Sequence, residues 1–486
     1  MLLLETLGSA TIYAAYAFVL VVRSCTQQLV WFFPSHHIYC SYPGPVLAKL
    51  TDVYAGVISA QRRLPLVIWE LHEKYGSVAR PAPNRLVFNT VTAFKSIYQN
   101  DDRITKSFTY EVLTRNKAYS VFNTLDRDLH RAKRKIVGHA FSERSVRSFE
   151  PALQPQVDVY LKQLLKSSHQ PVNRTQRLGY LAIDIIAQLT LGCGLQTQTS
   201  EANRSFMQAM TLSFYVGKIS HHFPAFRKVH TNRVFDHVFY ETRVKFTCLL
   251  EEMVRSRLAL DVHAKPDFFS VVAHALPGEA AKTRDSMVWK EAMVFLVAGG
   301  DTVATAMTAA FFLSVPSTFT SGRDIKSGPL LSSCRYLRAC IDEALRMSPP
   351  VSATLWQQQV ATDKEPLAID GHFMSPGHHP TVFPDPFTFK PERWLPSDST
   401  DPKTVASDEA TRKQAVEAFA SFSIGPRNCV GKPLAYLKTS AVLAKTLWDR
   451  GRPEEFCTLD GFNSTHDGPY LVFRERESVS LEKDLN

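Results

Sequence analysis

One cysteine, Cys429, stands in the run Phe422-Ser-Ile-Gly425-Pro-Arg427-Asn-Cys429-Val-Gly431, between two glycines, with an arginine two residues before it and a phenylalanine seven before. A thiolate is a strong, soft metal donor. On haem iron it pushes electron density onto the metal and favours O–O cleavage. The neighbours suit such a site. Gly425 and Gly431 permit close backbone approach to a flat ring, Arg427 can meet a propionate, and backbone N–H groups around Cys429 can donate to sulfur. A lone cysteine is more often a small buried hydrophobe, and it is the whole decapeptide that argues against that reading here.

A second run able to do chemistry is Ala298-Gly299-Gly300-Asp301-Thr302. It lies within Asp285–Val315, a proline-free stretch closed by Pro316 that predicts one long helix. At 1.5 Å per residue that helix runs roughly 45 Å. Two glycines inside it cost about 2 kcal/mol relative to alanine. Close approach of a ligand is one compensation, and a plain kink is the alternative. A hydroxyl beside a carboxylate can relay protons into a dry pocket. Elsewhere, Glu343 and Arg346 share one face of a helix predicted over Cys334–Met347. His130 and Arg134 share a helical face in a basic segment with Arg127, Arg131, Lys133 and Lys135, which reads either as a solvated face or as a fork for an anion.

Taken together these runs resemble the cytochrome P450 family, whose haem-binding signature Phe-x-x-Gly-x-Arg-x-Cys-x-Gly is matched at every fixed position. The resemblance covers nearly the whole chain. It implies a mainly α fold with a minor β part, built as a single large domain behind an N-terminal membrane anchor. It implies haem b with Cys429 as the iron ligand, and Phe422, Gly425, Arg427, Gly431, His130, Arg134, Ala298 and Gly299 around the cofactor. Thr302 would hold a proton donor at the oxygen site and Asp301 would link it to solvent. Glu343, Arg346 and Arg393, the last in Pro391-Glu392-Arg393-Trp394, would form a buried network bracing the cysteine loop. The implied activity is monooxygenation of a hydrophobic small molecule with O2, using NADPH through a cytochrome P450 reductase, with cytochrome b5 as an optional donor. Substrate contacts are expected from Phe295–Thr302, Val351–Thr354 and Phe206–Phe226. The runs around Cys334–Trp356 and Phe383–Leu395 resemble fungal microsomal members of secondary metabolism.

Length alone, at 486 residues, suggests several domains. The motifs from Arg134 to Cys429 must nevertheless meet around one site, so one domain over 46–486 is expected. Net charge is +10, which suits an anionic membrane or an acidic partner. No zinc-finger spacing or basic helix repeat supports nucleic acid. The eight cysteines form no Cys-x-x-Cys or short framework, as in a reducing compartment. Residues 1–22 carry Glu5 as their one charge and predict a transmembrane anchor. They lack the basic start and cleavage site of a signal peptide. Residues 23–45 read as a linker ending in the hinge Tyr42-Pro43-Gly44-Pro45. A single-pass position in the endoplasmic reticulum membrane follows, with the catalytic domain cytosolic. The sequons at Asn173, Asn203 and Asn463 would matter only on the lumenal side.

Helices are expected over 65–75, 149–166, 178–192 and 234–260, with paired strands over 77–80 and 85–89. The adjacent histidines His36-His37, His221-His222 and His378-His379 are not expected to bind metal, because neighbours point apart on a helix. Three places depart from the family pattern. The segments 316–331 and 371–384 are short, and Gln357-Gln358 after Trp356 stands where a basic propionate partner is common. Two alternatives therefore stand beside the monooxygenase: a haem-binding but catalytically impaired member, and a reductase-independent haem-thiolate isomerase or dehydratase. Asp301-Thr302 speaks against the latter, which needs no oxygen-linked proton relay.

Overall fold

The computed structural model describes residues 42–100, 102–113, 119–167, 172–228, 240–261, 264–265, 267–272, 287–313, 334–352, 354–360, 383, 385–447 and 470–471. The expected anchor, nearly all of the linker, the segment 316–331, all of 371–384 but Phe383, and Asn463 lie outside them.

Helices dominate. They are α1 (Val46–Leu50), α2 (Val53–Ala60), α3 (Leu64–Tyr75), α4 (Val91–Tyr98), α5 (Arg127–Ala140), α6 (Glu143–Ser148), α7 (Glu150–Lys166) and α8 (Arg174–Leu191). After these come α9 (Ser205–His222), α10 (Ala225–Lys228), α11 (Tyr240–Leu258), α12 (Phe268–Val272), α13 (Met287–Leu313), α14 (Arg335–Met347), α15 (Pro402–Ala418) and α16 (Lys432–Leu447). The β part is three small antiparallel ladders among the described residues. In these, β1 (Val78–Ala82) pairs with β2 (Arg85–Phe88), β3 (Ile104–Lys106) with β5 (Gln357–Gln359), and β4 (Val172–Asn173) with β6 (Tyr470–Leu471).

The ends of these elements follow local chemistry. Asp126 caps α5 by accepting from Leu129 N at 2.7 Å. α8 starts earlier than its apolar pattern predicts because Asn173 accepts from Gln176 N at 3.2 Å, and it stops at Gly192, which takes the left-handed conformation. Asn173 is thus a capping residue, whatever its sequon suggests. α15 was not expected. It is polar on almost every side and carries no helical period, and only Ala415 and Ala418 are buried, against Phe383. Its start is set by Pro402 and by Asp401, which accepts from Thr404 N at 3.0 Å.

The core is built on α8 and α13. α13 is apolar enough over Trp289–Phe311 to cross a membrane, yet 67% of that stretch is buried inside the fold, so it is a core helix. The glycine pair explains how closely it lies on α8. A Cβ on Gly299 would stand 2.7 Å from Ile186 Cδ1, and one on Gly300 would stand 3.0 Å from Ile183 Cδ1. Helix packing therefore compensates the glycines' low propensity. The close approach of the Gly299 Cα that the structure shows is to Ile186.

Candidate active site

The cysteine loop is closed by its own backbone. Cys429 N donates to Phe422 O at 2.8 Å and Asn428 N to Gly425 O at 3.1 Å. The Phe422 ring packs on Tyr436 of α16 at 5.1 Å between centroids, so the loop is held to the helix that follows it. Gly425 has φ +71°, and a Cβ there would fall 1.9 Å from the carbonyl oxygen of Tyr98 at the end of α4. The structure thus shows a close approach to protein backbone that only glycine permits. Gly431 is the glycine beside the sulfur, its added Cβ lying 3.9 Å from Cys429 Sγ.

Cys429 is solvent-accessible, yet it lies deep enough that desolvation raises its thiol pKa. An accessible sulfur in a desolvated place is what a cavity inside the fold produces. Opposing the burial, the backbone N–H groups of Gly431 and Lys432 donate to the sulfur, and Arg134 and Lys432 add positive charge. These groups open α16, so the thiolate would sit at a helix N-terminus with its donors already aimed.

Next to the thiol is a cluster of cations. Arg134 donates to Asn428 O at 2.6 Å and to Asn428 Oδ1 at 2.5 Å. Arg427 donates to Thr124 O at 2.6 Å and Leu125 O at 3.1 Å, and the Lys106 ammonium donates to Phe122 O. Burial, followed by Arg427, Lys106, Arg134 and Arg131, pushes His130 down to about 3, so it is neutral at working pH. Burial, followed by Arg427 and Arg134, pushes Lys106 down to about 7. The charges that act on His130 and Lys106 are thus cations. A partly buried cluster of one sign calls for an opposite charge, and the two propionates of haem would carry it. The donor set therefore fits haem: a soft thiolate with two N–H donors for the metal, and a cationic cluster for the carboxylates.

Lys106 was not singled out from the sequence. It pairs in register with Gln357, beside the place where the expected basic partner is missing, and so supplies that charge from the neighbouring strand. Its ammonium lies over the rings of Tyr110 at 4.5 Å and Phe122 at 4.3 Å. Lys106→Gln is expected to speed haem loss by about tenfold, the worth of one charge-assisted hydrogen bond. The apo chain should at the same time melt higher, because one of the mutually repelling cations is gone. Haem transfer to excess apomyoglobin and a thermal scan of the apo chain measure the two. A lower apo melting point, with haem loss unchanged, would make Lys106 merely structural.

α13 carries the expected proton-delivery pair. Ala298 is exposed on a helix whose Leu296 and Val303–Phe311 are buried, and Asp301 and Thr302 are half-buried beside it. The Thr302 hydroxyl donates to Ala298 O one turn back. This anchors the side chain and leaves the oxygen's lone pairs to accept a hydrogen bond. α13 is registered to α5 by Glu291, which accepts from Val121 N at 2.9 Å and pairs with Lys133 at 3.3 Å. Two expected substrate contacts are corrected. Phe295 packs in the core against Phe141 at 5.4 Å and Phe268 at 5.7 Å. Phe206 is likewise buried, stacked on Phe246 at 4.6 Å.

The brace is formed as the resemblance implied. Glu343 is fully buried, and it accepts from Arg346 Nε and Nη2 at 2.9 Å each, Arg393 Nε at 3.1 Å, Trp394 Nε1 at 3.0 Å and Lys390 N at 2.9 Å. Burial works to raise its pKa, but the hydrogen bonds and charges of Arg346 and Arg393, with the Lys390 N–H, hold it below the usual carboxylate value. Ser421 carries the brace to the cysteine loop by donating to Leu345 O at 3.0 Å.

The comparisons agree with this geometry. The family model described as Cytochrome P450 matches residues 45–315 and 328–449. The cytochrome P450 monooxygenase poxM of Penicillium oxalicum is 31% identical over 490 residues, covering 90% of each chain. The cytochrome P450 monooxygenase AKT7 of Alternaria alternata is 28% identical, covering 92% of this chain and 94% of its own. Among solved structures, the cytochrome P450DA heme domain superposes with a TM-score of 0.67 at 14% identity, over 90% of this chain and 98% of that one, which speaks for the fold alone. Sequence motif, fold and comparison converge, and the chain belongs to the cytochrome P450 family, as an enzyme of its monooxygenase class.

Proposed function

We propose that the protein inserts one oxygen atom of O2 into a hydrophobic small molecule during fungal secondary-metabolite biosynthesis. The cofactor is haem b, and the electrons come from NADPH through a cytochrome P450 reductase, with cytochrome b5 as an optional donor. The observation that carries this reading is the accessible but desolvated Cys429 sulfur, with its two backbone donors, beside the cluster of Lys106, His130, Arg134 and Arg427. Haem held there through Cys429 supplies the oxygen-activating redox chemistry. The chain's own part is to exclude water, to orient the substrate, and to hold and move protons at Thr302 Oγ1 and the Asp301 carboxylate.

The fungal relatives support the metabolic setting. An anchor over 1–22 in the endoplasmic reticulum membrane, with the catalytic domain in the cytosol, is supported by the apolar N-terminus. It is also supported by the exposed apolar side chains Val46, Leu47, Val57, Leu66 and Trp69, which lie on the first elements after the hinge. The test is a reduced carbon-monoxide difference spectrum of the full chain in microsomes, followed by a substrate screen with reductase. A thiolate-type band and product formation tied to NADPH consumption are expected. A thiolate band without NADPH consumption would point to the impaired or reductase-independent alternatives. An absent band would end the haem-thiolate reading.

A further inference from the structure

We infer that Lys438 is a positioning residue. From the interior of α16 its ammonium holds the Gly299 carbonyl, and so fixes the turn of α13 that carries Asp301 and Thr302. The inference rests on the monooxygenase reading above. Lys438 is fully buried, and among the described residues its hydrogen bond is to Gly299 O at 3.2 Å. A charged lysine in such a place is costly unless it is paired and hydrogen-bonded. Burial pushes it down to about 7, and among the described residues no carboxylate is shown paired with it. Of the carboxylates on the elements packed against α16, Asp342 is engaged with Tyr436 and Arg338, Glu343 with Arg346 and Arg393, Asp158 with Lys445, Glu143 with Arg147, Glu150 with Gln154 and Glu291 with Lys133, while Asp301 stands two residues beyond Gly299 on α13 itself.

The consequence falls on two consecutive carbonyls of one helical turn. Ala298 O accepts the Thr302 hydroxyl and Gly299 O accepts the Lys438 ammonium. The same turn is pressed against Ile183 and Ile186 of α8. A side chain that competes for a helix carbonyl sets the local course of the helix, so Lys438 and α8 between them hold the Thr302 hydroxyl where it stands. Lys438 touches no reacting atom, and its action is through Thr302.

The test is Lys438→Met in the full-length holoenzyme, alone and combined with Thr302→Ala. The single variant is expected to keep the thiolate-type carbon-monoxide band and to melt at or above the wild type. Product formed per NADPH consumed should fall about fivefold, the worth of one hydrogen bond. In the Thr302→Ala background it should cost no further coupling. The melting gap between Lys438→Met and wild type should be full below about pH 7 and narrow towards pH 10, because the folded lysine releases its proton before the unfolded one does. Unchanged coupling, loss of the band together with coupling, or an additive loss in the double variant would each overturn the inference. If the wild type turns over nothing with reductase, the monooxygenase reading fails instead, and the Lys438–Gly299 contact is judged by the melting gap alone.

Discussion

Cys429→Ser is expected to abolish the thiolate-type spectrum and to lower NADPH-coupled turnover by at least about a thousandfold, some 4 kcal/mol of barrier. A neutral hydroxyl is a poor donor to a soft metal site, and it delivers none of the electron density that a thiolate does. The fold should not notice the change. The Cys429 side chain is accessible, not packed in the core, and the bond from its N–H to Phe422 O at 2.8 Å is unaffected by the side chain. The apo variant should therefore melt within about 0.5 kcal/mol of the apo wild type. Cys340 is the internal control. It is buried, and burial with the nearby carboxylates Glu392 and Glu343 pushes its thiol up to about 12. Around Cys429 the neighbouring charges are the cations Arg134 and Lys432. Both thiols are desolvated, but only one stands among groups that favour the thiolate, so Cys340→Ser should leave the spectrum intact. A Cys429→Ser protein with an unchanged thiolate band would mean that another residue holds the iron.

What could be read from the sequence was whatever depends on residues close together in the chain. The cysteine loop closes on itself within its own decapeptide, from Cys429 N to Phe422 O, and its motif is complete without any knowledge of the fold. Glu343 and Arg346 meet because they are one helical turn apart. The long helix over 287–313 was legible from its apolar length and from the proline that follows.

Contacts between distant segments were not legible. Lys106 joins the cationic cluster only because β3 pairs with β5 and because the segment before α5 folds back under Arg427. Gly425 is required by a Tyr98 carbonyl far up the chain. The same blindness applied to Gly299, whose neighbour Ile186 lies on α8, and to α15, which shows neither an apolar face nor a period by which a helix is recognised. Some signal for Lys438 was present. Lys438 stands among Leu434, Ala435, Leu437 and Ala441–Ala444, apolar residues of its helix. Its partner, however, could only be found in three dimensions.

Glu343→Ala should have the largest effect on folding, a loss of roughly 3–5 kcal/mol. That is a large part of the 5–15 kcal/mol typical of a whole domain. One carboxylate here answers two guanidiniums, an indole N–H and a backbone N–H, and the side chains of Arg346 and Arg393 are 3% and 6% exposed. Removing it leaves two buried cations facing each other with no counter-charge. Glu343→Gln should recover little, because an amide offers one acceptor oxygen where the carboxylate offered two, and no charge. The pH dependence follows from the same arrangement. The folded carboxyl titrates below its unfolded value of about 4.3. The brace's contribution is thus full above that pH, and it is lost as pH falls through the folded pKa, where the folded chain takes up the proton as well. Because Ser421 passes the brace to the start of the cysteine loop, haem should be lost before the helices melt. In an acid titration the thiolate-type band should therefore disappear at a higher pH than the far-ultraviolet helix signal. Coincident transitions would show that Glu343 holds up the fold as a whole, without a particular bearing on the loop.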